Sequence, residues 1–303
     1  MCVAIRFTST DGSAYFARNL DTSNPMGVRP LAVPAGYRAD WTYLGTAATR
    51  HAVIGSGYPG DRMPGFLDAC NSAGLAVGVL ALPKSTHYAP APVEGRRCIS
   101  RYELPFWLAA TFGSVAEVEQ ALADAVLVST DVPGASGVKP FPMHWFVADA
   151  SDSLVIEADE GGIELYHDDV EVLTNEPSFP DQRERLQAYL HERGNDERAV
   201  LHDLPGDCSS TSRFIKTAVL NARYPAQETE HGNVIRAFRT LNAVAVPLGA
   251  ARASDGGWKT TVYQCAFSAK TNTYYRSTYD NPAIRSWRLD EIEFKAGTEP
   301  ELL

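Results

Sequence analysis

The stretch Met1-Cys-Val-Ala-Ile-Arg-Phe7 opens the chain and predicts a strand that begins with a thiol. Residues 3–7 are mostly apolar, Asp11-Gly12 is a dipeptide typical of hairpin turns, and residues 14–18 supply the returning strand. Removal of Met1 is compatible with the small side chain of Cys2, which would then carry both a thiol and a free α-amine. With ordinary pKa values of about 8.5 for a thiol and about 8 for an α-amine, the amine can act as the base for its own thiol. A cysteine after the initiator methionine is weak evidence by itself.

A two-residue turn at Asp11-Gly12 would place Cys2 directly opposite Asp21. The Asp21 carboxylate could then hold the new α-amine by a charge-assisted hydrogen bond. Arg18 would point to the other face of a regular strand, and it would reach the thiol only through a bend near Asn19-Leu20 or through its own length. An ion pair at the surface of the hairpin explains Arg18 and Asp21 more simply at this point.

The rest of the chain alternates groups of strands with helices. Further strands are predicted at residues 75–80, 144–149, 154–158, 163–167, 171–175, 258–267, 272–278 and 284–288. Helices are predicted after the capping box Ser114-Val-Ala-Glu117 and over residues 181–193, 209–223 and 234–241. The short links between residues 144 and 175 indicate an antiparallel meander. This grouping predicts one α+β domain of layered sheets and helices over residues 1–303.

The composition argues against nucleic acid and membrane partners. The 303 residues include 27 Lys and Arg against 37 Asp and Glu, which gives a formal net charge of −10. Phosphate binding needs clustered cations, and the local cluster is only Arg96-Arg97. The longest apolar run, residues 73–83, is about half of the ~20 residues that a spanning helix needs.

The cysteines indicate a reducing compartment and no metal. The 5 cysteines are widely spaced and form no CxxC pair, so no zinc or iron–sulfur pattern fits. We expect free thiols, a cytoplasmic protein without a signal peptide, and no metal or organic cofactor. A Cys–His enzyme built on one of the other cysteines stays open, although none of the 7 histidines shows a local catalytic signature.

Several blocks of sequence occur in an order and at a spacing that point to one family. They are Met1–Phe7, Tyr15–Asp21, Asp68–Leu75, Met143–Asp149, Val172–Phe179, Leu204–Phe214, Lys270–Tyr275 and Tyr279–Arg285. Together these blocks, which run from the first residue to about residue 288, resemble the choloylglycine hydrolase family of bile salt hydrolases and penicillin V acylases. The resemblance implies an N-terminal nucleophile hydrolase fold, a four-layer αββα sandwich of two antiparallel sheets between helix layers. It also implies amide hydrolysis through a thioester, without a cofactor.

The resemblance assigns catalytic roles residue by residue. Cys2 matches the nucleophile, Asp21 the carboxylate that orients its amine, and Arg18 an arginine beside the thiol. Asn175 matches a side-chain donor of the oxyanion hole, whose second donor is the backbone N–H of Ala81, and Arg213 matches a second arginine near the reaction centre.

Simpler explanations exist for two of these residues. Asn175 also fits a turn residue before Glu176-Pro177. Arg213 also fits an exposed charge in the first turn of a helix, but a cation there opposes the helix dipole, so an acidic partner is expected.

The resemblance favours a small amide substrate with a bulky apolar acyl group. Conjugated bile salts are the expected substrates, with penicillin V or another N-acyl amide as the alternative and a non-catalytic binding protein on the same scaffold as a remote one. The expected substrate-binding residues are Leu20, Met26, Tyr58, Phe66, Ala81 and Val132. The sequence departs from the family at Ala81, at Thr22, where an aromatic is familiar, and in the short segment 176–206, which in typical members serves subunit assembly. A homo-oligomer, dimer or tetramer, is expected.

Overall fold

The computed structural model describes residues 1–24, 27–60, 62–130, 141–194, 196–253, 256–294 and 299–303. Its strands are β1 Cys2–Thr8, β2 Ala14–Thr22, β3 Arg29–Val33, β4 Arg38–Trp41, β5 Gly45–Ala48, β6 Val53–Tyr58, β7 Gly65–Asn71, β8 Ala76–Ala81, β9 Arg97–Ser100, β10 Ala125–Val128, β11 Met143–Ala148, β12 Ser153–Asp159, β13 Gly162–His167, β14 Val172–Leu173, β15 Ala251–Arg252, β16 Trp258–Ser268, β17 Thr273–Thr278, β18 Arg285–Arg288 and β19 Glu301–Leu302. The helices are α1 Leu104–Thr111, α2 Val115–Leu122, α3 Phe179–Arg193, α4 Glu197–His202, α5 Ser210–Arg223 and α6 Glu230–Asn242, with a 3₁₀ turn at Leu289–Glu291.

Two antiparallel sheets form the centre of the fold. The first sheet has the order β14-β1-β2-β16-β17-β18, with β15 paired to β16. The second has the order β13-β12-β11-β8-β7-β6-β3-β19. Two short ribbons, β4–β5 and the parallel pair β9–β10, lie outside these sheets.

The two sheets pack face to face, and helices cover their outer faces. Between the sheets, the rings of Phe16 in β2 and Phe146 in β11 stack with 6.3 Å between centroids. A Cβ at Gly78 would lie 3.1 Å from the Phe16 ring, so this glycine allows the close approach. Helices α5 and α6 contact the outer face of the first sheet, where Asn221 bonds the Arg6 carbonyl, and α1 and α2 share a second apolar core with the outer face of the second sheet. The predicted four-layer αββα sandwich is confirmed.

The register of the first hairpin differs from the prediction by one residue. Cys2 pairs with Leu20 and Ala4 with Arg18, because five residues, 9–13, connect β1 to β2 instead of a two-residue turn. Within this connection Ser9 N–H donates to the Ser13 carbonyl at 3.0 Å. Since a one-residue shift moves side chains to the opposite face, Arg18 shares the inter-sheet face with Cys2, and the prediction that it faces away is wrong.

The predicted meander is correct for three of its four strands. β11, β12 and β13 are consecutive neighbours in the second sheet. The fourth, β14, instead crosses to the first sheet, where Leu173 pairs with Ala4 of β1. This crossover leads the chain to Asn175 beside the start of β1. Among the described residues, no helix is both long and apolar enough to cross a bilayer.

The inter-sheet core generates a stability prediction. Phe146 is fully buried against Phe16, so Phe146→Ala should lower the free energy of unfolding by about 3–5 kcal/mol through lost transfer energy and a cavity. Ile284→Ala is the control, because that side chain is 44% exposed and its loss should cost little. Denaturant unfolding measures both, and equal stabilities for the two variants would contradict this packing.

Candidate active site

Cys2 is the first residue of β1 and is almost fully buried. It is 4% exposed, opposite Leu20. Met1 extends the same ladder, since its ammonium donates to the Asp21 carbonyl at 2.7 Å and Asp21 N–H donates to the Met1 carbonyl at 2.9 Å. Burial lowers the pKa of this ammonium, and the nearby Cys2 and Asp21 offset part of that effect. The residue preceding Cys2 is thus held by the backbone of Asp21.

Arg213 joins three of the predicted site residues. Its guanidinium, 2% exposed, donates through Nη1 to the Cys2 carbonyl at 2.6 Å and through Nη2 to Asn175 Oδ1 at 3.0 Å. Nη1 also lies 3.6 Å from Asp21 Oδ2. Burial lowers the pKa of Arg213, an effect that Asp21 counteracts. The acidic partner expected for a cation in the first turn of α5 is therefore Asp21.

Asn175 is fixed on both its side chain and its backbone. Oδ1 accepts the Cys2 N–H at 2.6 Å, and Nδ2 donates to the Ala81 carbonyl at 2.8 Å. The Asn175 N–H donates to Ser210 Oγ at 2.9 Å, and its carbonyl accepts from Gln182 Nε2 at 3.0 Å. Residues 2, 81 and 175 therefore meet at one point, where β1, β8 and the segment after β14 come together.

Asp21 faces the helices, on the opposite side of the first sheet from Arg18. Its Oδ1 accepts a hydrogen bond from Thr261 Oγ1 at 2.6 Å. Oδ2 makes no hydrogen bond within the described part of the chain and is buried. This leaves an acceptor beside the first residues of β1, where an ammonium group could be held.

Arg18 lies fully buried between the sheets. Nη1 donates to the Leu67 carbonyl and lies 4.0 Å from Asp68 Oδ2. Burial alone would lower the pKa of Arg18, but Tyr263, Cys2 and Asp68 together raise it above its ordinary value. Arg18 is therefore a cation on the same face as the Cys2 thiol.

The predicted substrate-binding residues separate into three groups. Leu20 is opposite Cys2, and Tyr58 is half-buried against the same apolar core. The Phe66 ring instead packs against Phe106 of α1, with 5.4 Å between centroids, in the core on the helix side of the second sheet. This placement disagrees with the prediction that Phe66 lines the pocket near Cys2. The register shift between Ser56 and Gly57 turns the Phe66 ring to the helix side, although Asp68, two residues further along β7, faces Arg18 between the sheets. Met26 and Val132 lie outside the described residues.

Several supporting residues were not predicted from the sequence. The buried His144 ring contacts the Thr174 carbonyl at 3.0 Å and Glu157 Oε1 at 2.9 Å, and it thereby anchors the residue before Asn175. Gln182 and Ser210 hold the same segment. These contacts join distant parts of the chain, and the histidine had no spacing signal. In the described ranges, no group of three or more His, Cys, Asp and Glu side chains could hold a metal ion.

Two antiparallel sheets between helix layers, with a cysteine at the start of the first strand, are the arrangement of the N-terminal nucleophile hydrolase fold. A family model for linear amide C–N hydrolases of the choloylglycine hydrolase family matches residues 2–300. The chain belongs to the choloylglycine hydrolase family, and the predicted resemblance is confirmed.

Individual relatives match the chain over nearly its whole length. The bile salt hydrolase/transferase of Bifidobacterium longum subsp. longum is 40% identical over 309 residues, covering 97% of this chain and 96% of that protein. The conjugated bile acid hydrolase of Lactobacillus acidophilus is 30% identical and covers 96% of each. A crystal structure of a variant conjugated bile acid hydrolase from Clostridium perfringens superimposes with a TM-score of 0.88, at 25% identity and with 100% and 96% of the two chains covered. A penicillin V acylase from Agrobacterium tumefaciens, at 20% identity and a TM-score of 0.79 over 96% of this chain and 87% of that one, shares the fold.

The Arg213 network generates a second stability prediction. Arg213→Met should lower the free energy of unfolding by about 3–5 kcal/mol, because it leaves the buried Asp21 carboxylate without its cation. Arg239→Met, at an exposed position of α6, should change stability by less than about 0.5 kcal/mol. Denaturant unfolding measures the difference, and a similar stability of the two variants would show that the buried pair contributes nothing.

Proposed function

We propose that the protein hydrolyses the amide bond of conjugated bile salts, with Cys2 as nucleophile, and releases glycine or taurine from the steroid acid. Membership of a family of linear amide C–N hydrolases supports the reaction. The substrate class is supported by the two bacterial relatives described above, whose names state a bile salt or bile acid as the substrate.

The observation that carries the proposal is the hydrogen-bond network at the Cys2 backbone. Its nitrogen, which becomes the α-amine when Met1 is lost, lies 2.6 Å from Asn175 Oδ1. Arg213 bonds both the Cys2 carbonyl and Asn175. A nitrogen fixed in this way stays beside the thiol of its own residue, so the residue needs no separate base.

The reaction consists of two acyl-transfer steps. The α-amine takes the thiol proton, and Cys2 Sγ attacks the amide carbon to give a tetrahedral intermediate. The protonated amine then gives its proton to the departing nitrogen, the C–N bond breaks, and a thioester remains. Water, deprotonated by the same amine, attacks the thioester carbon. The C–S bond breaks, the acid leaves, and the amine returns its proton to the Cys2 sulfur.

The proposed donors to the oxyanion are the second Nδ2 hydrogen of Asn175 and the backbone N–H of Ala81. Asn175 Nδ2 bonds the Ala81 carbonyl at 2.8 Å, so it lies beside the strand whose N–H is the second donor. Loss of one such donor typically lowers the rate by about 10²–10³. Asp21 would orient the amine, while Arg18 and Arg213 would favour the developing negative charge.

The substrate pocket follows from the apolar acyl group. Leu20 and Tyr58 supply apolar surface on the Cys2 side of the sheets. Ala81 gives a short side chain next to the reaction centre, which leaves room for a bulky group. Penicillin V is the alternative substrate. Assembly into dimers or tetramers and a cytoplasmic location stay predictions.

Replacement of the nucleophile tests the proposal. Cys2→Ala should abolish hydrolysis of glycocholate and taurocholate without unfolding the protein, because only one small atom is lost near the chain start. Cys98→Ala, a buried cysteine of β9, is the matched control and should keep its turnover per folded molecule. Product release and thermal unfolding measure the two effects. Turnover by Cys2→Ala within a few-fold of wild type would overturn the role of Cys2, and hydrolysis of penicillin V alone would overturn the substrate class.

Loss of Met1 is a second requirement. Active preparations should show an intact mass lower by one methionine, because in unprocessed chains the Cys2 nitrogen is an amide and cannot accept a proton. Intact-mass spectrometry, combined with alkylation of the N-terminal cysteine, separates the two forms. Full turnover by protein that retains Met1 would contradict the amine-base mechanism.

A further inference from the structure

Asp68 of β7 is a fully buried carboxylate surrounded by hydrogen-bond donors. Oδ1 accepts the Ser56 N–H at 3.0 Å and the Tyr274 hydroxyl at 2.6 Å, and Oδ2 accepts the Tyr263 hydroxyl. Burial raises the pKa of both phenols well above its ordinary value, so both keep the protons that they donate. Both oxygens of Asp68 therefore act as hydrogen-bond acceptors, with three donors aimed at them.

The charge that Asp68 faces is Arg18. Both side chains are 0% exposed, and 4.0 Å separates Arg18 Nη1 from Asp68 Oδ2. Arg18 also donates to the Leu67 carbonyl, the residue next to Asp68. Nε and Nη2 of Arg18 have no hydrogen-bond partner in the part of the chain that the structure describes. Asp68 is therefore the carboxylate that balances a buried and otherwise weakly held guanidinium.

The register connects this pair to Cys2. Arg18 is opposite Ala4, two residues along β1 from Cys2, and both side chains are on the inter-sheet face. A cation there stabilises a thiolate, and an anion behind the cation reduces that effect.

We propose that Asp68 is a positioning residue that holds and neutralises Arg18 and so sets how strongly this cation favours the Cys2 thiolate. The proposal rests on the proposed function only in that Cys2 is the nucleophile. Tyr263 and Tyr274 orient Asp68, and Ser56 completes its hydrogen bonds through its N–H.

Other ionisable groups also face this region and must stay constant in the test. In the processed protein these groups are the α-amine of Cys2, Asp21, Arg213 and Lys259 around the start of β1, and Cys70, Cys265 and Arg276 near Asp68, Tyr263 and Tyr274. None of them is changed in the variants below.

The test treats processed protein with iodoacetamide at pH values from 5 to 10. Mass spectrometry of the N-terminal peptide Cys2–Arg6 then measures how much Cys2 is alkylated at each pH. Asp68→Asn should lower the pH of half-maximal alkylation by about one unit, because the cation loses its counter-charge, and Arg18→Gln should raise it by a similar amount. The double variant should return towards wild type. Glu230→Gln is the matched control, since Glu230 accepts hydroxyls of Tyr15 and Tyr275 on the helix side of the same sheet, and its profile should be unchanged.

Removal of one partner of a buried ion pair can prevent folding, so Asp68→Asn alone could fail to fold. A second comparison then applies. The double variant should then fold better than Asp68→Asn, and its midpoint should lie below that of Arg18→Gln. The proposal would be overturned if Asp68→Asn had the same pH of half-maximal alkylation as Glu230→Gln. It would also be overturned if the double variant had the same pH of half-maximal alkylation as Arg18→Gln. Because alkylation needs no bile salt, these outcomes are separate from a failure of glycocholate hydrolysis.

Discussion

The guanidinium of Arg213 is the contact on which the arrangement around Cys2 depends. It connects the start of α5, the first residue of β1 and the segment after β14, three parts of the chain that are far apart in sequence. A planar group with several fixed donors can serve these acceptors together, whereas an ammonium cannot. Burial makes each lost contact costly, because no water replaces it. The cost of the buried cation is offset by Asp21 and by three acceptors, the Cys2 and Cys208 carbonyls and Asn175 Oδ1.

The first sheet separates two buried ion pairs of the same composition. On its helix side Arg213 faces Asp21, and on its inter-sheet side Arg18 faces Asp68. Cys2 lies at the end of the strand between them, with its backbone in one network and its side chain on the face of the other. In the proposed mechanism, Asn175 and Arg213 hold the Cys2 backbone, while Arg18 and Asp68 place a pair of charges on the face of its side chain.

The sequence predicted the layers of the fold, and the structure brings the predicted residues Cys2, Asn175 and Arg213 into contact, but the sequence did not predict which contacts hold them. Runs of apolar residues were enough to predict strands β11 to β13. Helical spacing of apolar residues, together with caps, was enough to predict helices α2, α5 and α6. The helix α1 was missed because seven of its eight residues are buried, so it has no polar face and no helical periodicity. The register of the hairpin depended on a five-residue connection, and Asp11-Gly12 gave no measure of its length. The crossing of β14 depended on which sheet that segment reaches, and the side on which Phe66 packs depended on the register shift between Ser56 and Gly57. Local sequence specifies neither of them.

The pairing of Met1 with Asp21 has a consequence for biosynthesis. In the folded chain the Met1 ammonium and carbonyl both form hydrogen bonds with the backbone of Asp21. An aminopeptidase, in contrast, has to bind a free amino end. We therefore expect Met1 to be removed more readily before the hairpin closes than afterwards. The fraction of processed protein would then depend on how quickly an aminopeptidase removes Met1 from the newly synthesised chain.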